Sequence, residues 1–179
     1  MIRQLLVVTT LFFAMLTSAQ SLRAQNPTGA DEQEVKAYRL TMEKITKLNA
    51  ATKSLRKLAA TDPTVCHAMA PEANDDPTTL TRWAKRIEAT HPKVVPLLKS
   101  EGLTVREALV IAMAEFQTAM ALYAKSVGTK ELPDDVSPEN VAFMEKNKKE
   151  IDTMSAELKR VPDPCGVRKI QVSDSDDEQ

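Results

Sequence analysis

The stretch that decides the fold runs from Leu103 to Val127: LTVREALVIAMAEFQTAMALYAKSV. Thr104 followed by Glu107 three residues later has the form of a capping box, in which the hydroxyl takes a free N–H of the first turn and the carboxylate reaches back to the cap. Downstream, Leu109, Met113, Phe116, Met120, Tyr123 and Val127 recur at alternating four- and three-residue spacing, which is one face of an α-helix. From Ala108 to Ala124 only Glu115, Gln117 and Thr118 are polar. Ile111 and Leu122 fall on the far side of that seam. This helix therefore reads as the centre of the domain, covered on more than one side, with Ile111 and Leu122 as a candidate apolar interface. Gly128 is placed to close it.

Working outward, the same period appears before and after. Val35, Tyr38, Met42, Ile45, Leu48, Leu55 and Leu58 predict one helix from about Asp31 to Ala60, interrupted midway by Asn49 and Thr52. Asp76-Pro77 reads as a cap with Pro at the first helical position. Leu80, Trp83, Ala84 and Ile87 then form a buried face that His91-Pro92 ends. A short turn follows around Pro96 and stops at Gly102. Ser137-Pro138 opens the last long helix, whose stripe is Val141, Met144, Ile151, Met154 and Leu158. No strand pattern or repeat occurs. The expected fold is all-α: an antiparallel helical bundle of three long helices plus a broken helix or helical hairpin around 77–101.

The two ends of the chain differ from its middle. Arg3, the apolar or small-residue run Leu5–Leu16 and the small residues Thr17-Ser18-Ala19 follow the order of a secretory signal. The run is well short of the ~20 residues that span a bilayer. Residues 1–24 are thus expected to be a signal peptide, cleaved after Ala19 or Ala24, with residues 25–165 as one domain and 166–179 as a disordered acidic tail. Export to the periplasm or beyond then places Cys66 and Cys165 in an oxidising compartment, where two cysteines favour a disulfide. Closing about 100 residues is worth ~4–5 kcal/mol in the chain-entropy model. In a plain up-down bundle those cysteines would sit at opposite ends. A bond between them requires either that the 61–76 loop travel back or that the pieces around Pro92 and Pro96 reverse the chain once more.

Composition narrows the function classes. Lys and Arg number 24 against 25 Asp and Glu, which gives no electrostatic basis for nucleic acid or for an anionic membrane surface once the signal is removed. Covalent haem wants C-x-x-C-H, and Pro63-Thr64-Val65-Cys66-His67 lacks the first cysteine. A di-iron bundle needs Glu-x-x-His twice, and only Glu88-Ala89-Thr90-His91 is present. Glu72, Asp75 and Asp76 do not have the spacing of an EF-hand. No cofactor or metal is expected, and the methionines read as core filler. One polar constellation stands out. Asn49, Glu115 and Asn147 or Lys148 each interrupt an apolar helix near its middle, so they form a candidate buried polar layer.

Leu97-Leu98-Lys99-Ser100-Glu101-Gly102-Leu103-Thr104-Val105-Arg106-Glu107 and Glu139-Asn140-Val141-Ala142-Phe143-Met144-Glu145-Lys146-Asn147 resemble a group of exported helical proteins of Gram-negative bacteria. That resemblance implies export and a helical domain, with no particular activity. Leu103-Thr104-x-x-Glu107 is also similar to the Leu-Thr-x-x-Gln motif of small periplasmic stress chaperones of the Spy and CpxP type, with Glu in place of Gln and a single copy. Three functions follow as expectations. The first is a non-enzymatic helical protein that binds a partner protein (including a second copy) or a hydrophobic ligand. The second is a stress-type holdase chaperone. The third is a cofactor-binding or enzymatic bundle built on a half-buried Glu115 layer.

Overall fold

A computed structural model describes residues 29–68, 79–129 and 131–165. The signal segment 1–24, the acidic cluster of Glu72, Asp75 and Asp76, the Asp76-Pro77 cap and the tail 166–179 lie outside the described residues. The chain is an all-α bundle. Its helices are α1 (Gly29–Ala37), α2 (Met42–Thr61), α3 (Val65–Ala68), α4 (Leu80–Thr90), α5 (Val94–Ser100), α6 (Val105–Ser126), α7 (Pro138–Lys146) and α8 (Lys148–Arg160).

Local chemistry sets most of the ends. α2, α4, α6 and α7 each start after a Thr or Ser whose hydroxyl accepts an N–H of the first turn: Thr41 from Lys44, Thr79 from Arg82, Thr104 from Glu107 and Ser137 from Asn140. α4 therefore begins at Leu80 on Thr79. α5 and α6 close on glycines in the left-handed region, Gly102 (φ +71°) and Gly128 (φ +101°). In both, the next residue's N–H returns to a carbonyl inside the last turn, Leu103 to Leu98 (3.0 Å) and Thr129 to Ala124 (3.0 Å).

Two helices expected to be continuous are broken. The first stops at Ala37 and restarts at Met42, rather than weakening at Asn49 and Thr52. Asn140, a hundred residues away, takes up the polar groups the break releases. Its Oδ1 accepts from Leu40 N (3.0 Å) and its Nδ2 donates to Tyr38 O (2.9 Å). Asn49 and Thr52 instead bond within their own helix, to Ile45 O and Leu48 O. The last helix is interrupted at Asn147, whose Nδ2 donates to Phe143 O (2.8 Å).

α6 is the central element, packed against α1, α2, α4, α5 and α7. The main cluster joins Val35, Leu40, Leu55, Ile87, Leu98 and Leu109 with their neighbours, and a smaller one holds Ala121, Val136 and Val141 against Leu122. Cys66 and Cys165 are joined by a disulfide, with Cα atoms 5.1 Å apart. The second topological route makes that bond feasible. Lys93, before α5, pairs with Asp62 at the end of α2 (2.7 Å), and Gly102, after α5, lies beside Lys47 near the start of α2. The antiparallel neighbour of α2 is thus the short α5. α8 runs in the same sense as α2: Thr46 meets Met154, Lys53 pairs with Glu157 (3.1 Å), and Arg56 reaches Leu158 O (2.7 Å), Val161 O and Asp163. The C-terminal ends of α2 and α8 therefore meet, and the cysteines follow.

Candidate functional site

Among the described residues, the largest departure from a closed, water-facing exterior is the outer side of α6. Its inner side is lined by Ile111, Ala114, Thr118 and Ala121, all buried. Thr118 is tolerated there because its hydroxyl donates to Ala114 O (2.6 Å). The small side chains at 114, 118 and 121 let neighbouring helices approach closely. That choice turns the other apolar side outward. Phe116, Met120, Tyr123 and Val127 are 48%, 51%, 48% and 63% exposed.

The expectation for this helix is thus corrected in its second half. Leu109 is buried and Met113 half-buried, but from Phe116 onward the seam leaves the core. Conversely Ile111 is wholly buried and Leu122 packs on the small cluster with Val136 and Val141, so these two residues are core and not an outward interface. Both sides of α6 are apolar, and the returning chain through Val136 and α7 covers only one of them.

The flanks of the exposed stripe are small or neutral: Ala112, Gln117, Ala119, Ala124 and Ser126. Gln117 Nε2 donates to Asp135 at 3.5 Å. Lys125, the one cation in this half of the helix, pairs with Glu145 of α7 (2.7 Å). Leu132, in the connection that follows, is also exposed.

The candidate polar layer does not assemble through hydrogen bonds or ion pairs. Asn49 and Asn147 bond to carbonyls of their own helices, and Lys148 pairs with Asp152 one turn on. Glu115 remains half-buried with no hydrogen-bond or ion-pair partner among the described residues. It sits between the two apolar clusters, after Ala114 and before Ala121. Burial pushes its carboxyl from the ordinary 4.5 up to about 7. Its oxygens keep an edge to solvent, since among the described residues no fully buried side-chain polar atom lacks a partner.

This has a measurable consequence. Below about pH 4.5 Glu115 is neutral in both the folded and unfolded chain. Between there and about 7 the unfolded chain ionises while the folded one keeps its proton, so its contribution to stability falls as pH rises and levels off above 7. The full shift corresponds to roughly 3 kcal/mol, discounted because the carboxyl keeps an edge to solvent, so Glu115→Gln is expected to be about 2 kcal/mol more stable than the parent at pH 8 and near parity at pH 4.5. Urea unfolding at the two pH values checks it. An equal difference at both would show that the carboxyl is not desolvated.

Other polar groups on α6 are structural. The Thr104 hydroxyl caps as expected, but the Glu107 carboxylate takes Lys44 Nζ and Tyr38 Oη (3.4 Å) rather than turning back to the cap. Burial, with the Glu107 charge beside it, pushes the Tyr38 hydroxyl up to about 12. Lys93 and Thr64 hold Asp62 down to about 2. Among the described residues no group of three or more His, Cys, Asp or Glu side chains is placed to hold a metal, and no helix is long and apolar enough to cross a membrane. No family model, curated protein or solved structure matches this chain.

Proposed function

We propose that the chain is a non-enzymatic, exported helical protein that binds a partner protein through the outer side of α6. The exposed row Phe116, Met120, Tyr123 and Val127 carries this reading. Two aromatic rings give large contact area at low ordering cost, a methionine adapts its shape to what packs on it, and uncharged flanks remove the desolvation penalty of an ion at the contact. Export is supported by the intramolecular disulfide, which suits an oxidising compartment such as the periplasm. A photo-crosslinking residue placed at position 123 in the native host is expected to give discrete protein adducts. The same residue at the exposed position 157 of α8 serves as control. Adducts at 123 no stronger than at 157 would remove the reading. A holdase role rests on the same row, because a methionine-bearing apolar strip adapts to many clients. Adducts at 123 forming a continuous smear rather than discrete bands would favour it.

A further inference from the structure

The exposed side of α6 has a finer pattern than an apolar patch, and resting on the reading above it names a partner. Leu109, Met113, Phe116, Met120, Tyr123 and Val127 occupy alternating four- and three-residue steps, the a and d positions of a coiled-coil heptad. In an ordinary coiled coil the helix back faces water. Here Ala114, Thr118 and Ala121 on that back are buried in the bundle, so the helix is held by its back and presents the second part of its seam, Phe116 to Val127, while Leu109 and Met113 pack into the core.

The positions beside the seam normally carry the charges that select a partner. In this helix they are Ala112, Gln117, Ala119, Ala124 and Ser126, without a charge among them. A foreign partner steered by charge would find nothing to read. An identical helix meets no like-charge repulsion, and the alanines and serine let two backbones come to the near end of the ~8–10 Å range for packed helices. Phe116 and Tyr123, each 48% exposed, leave roughly 100 Å² of ring apiece. With Met120, Val127 and the alanines, a two-fold pair removes on the order of 1,000 Å² from water, the threshold for a specific but modest interface.

We propose that this protein self-associates as a two-fold dimer, α6 of one copy packed seam to seam on α6 of the other. Buried area does not by itself set affinity, so the test covers a wide concentration range. The test is sedimentation of the signal-free protein from about 1 to 200 µM. The expected result is a rise from one to two chain masses for the parent. Met120→Glu is expected to shift the midpoint at least tenfold upward with an unchanged helical circular dichroism spectrum, and Ala119→Arg, which leaves the seam apolar, to do the same through like charge. A single-chain mass throughout overturns the dimer. So does a dimer that both variants leave intact, since the contact would then lie elsewhere. Loss of the dimer alone leaves partner binding standing if position 123 still crosslinks to proteins of other masses. If both fail, both readings fall.

Discussion

Replacing Cys66 and Cys165 together by Ser is expected to lower the thermal midpoint by about 10–15 °C and to release α8 before the rest of the fold. The first part follows from the 99-residue separation that the bond closes. Without it the unfolded chain regains entropy worth ~4–5 kcal/mol, at about 2–4 °C per kcal/mol for a domain of this size. The second part follows from how α8 is held. None of its residues is buried, and it gives no side chain to either apolar cluster. Its apolar residues Ile151, Met154 and Leu158 are only half-buried, and its side-chain bonds to α2 are few: Thr46 on Met154, Lys53 on Glu157, and Arg56 on the last carbonyls and Asp163. The exposed Lys53–Glu157 pair contributes ~0–1 kcal/mol, which leaves the part-buried Arg56 as the main polar tie. Amide exchange through 148–160 is therefore expected to rise at least tenfold more than through 105–126, where the helix packs against five others. Equal acceleration in both would show that α8 does not depend on the bond. An unchanged midpoint would remove the entropic argument altogether.

The sequence carried the central position of α6, the all-helical class and the pairing of the cysteines, because each rests on a local period or a simple count. It did not carry which side of α6 faces in. Leu109, Met113, Phe116 and Met120 form one apolar row, Ala108, Ile111, Thr118 and Leu122 form a second that Glu115 interrupts, and a helix with two such sides takes its orientation from what packs on it. Val136 and Val141 decide that, and they lie on another element. The break at Tyr38–Thr41 was hidden for a similar reason. Thr41 is an ordinary residue inside a helical period until Asn140, supplied by α7, gives the freed amide and carbonyl a partner. Glu107 had a local role available at the cap, and the more distant Lys44 cation and Tyr38 hydroxyl took it instead. Glu115 was legible as a half-buried acid since no local pattern explained it. Its expected partners were not, because Asn49 and Asn147 found carbonyls within their own helices. Local devices are readable one helix at a time, whereas polar groups that join helices across 100 residues are not.

Asp31→Ala is expected to cost about 3 kcal/mol, although in sequence the residue marks only the start of the first helix. Asp31 is only 4% exposed. Its Oδ2 accepts the Leu80 N–H at 2.7 Å, one of the amides at the start of α4 that has no partner within the helix. Its Oδ1 accepts from Arg106 Nη2 at 2.9 Å, and Arg106 also binds Glu34 and the Thr81 hydroxyl (2.6 Å). One carboxylate thus ties α1 to the starts of both α4 and α6. Alanine leaves a buried N–H unsatisfied, which costs ~1–3 kcal/mol, and removes a charge-assisted bond worth ~1.5–3 kcal/mol. Arg106 is a third exposed and keeps Glu34, so the second contribution is discounted toward its lower end. Asp31→Asn retains an acceptor for Leu80 while losing the charge, and should fall between parent and alanine. Glu34→Ala removes the outer half of the same ion pair without touching Leu80, and should cost under ~1 kcal/mol. Urea unfolding of the three variants at pH 7, with unchanged slopes, measures the series. If Asp31→Ala and Glu34→Ala cost the same, the Leu80 amide is not what Asp31 secures, and its contribution is limited to the ion pair with Arg106.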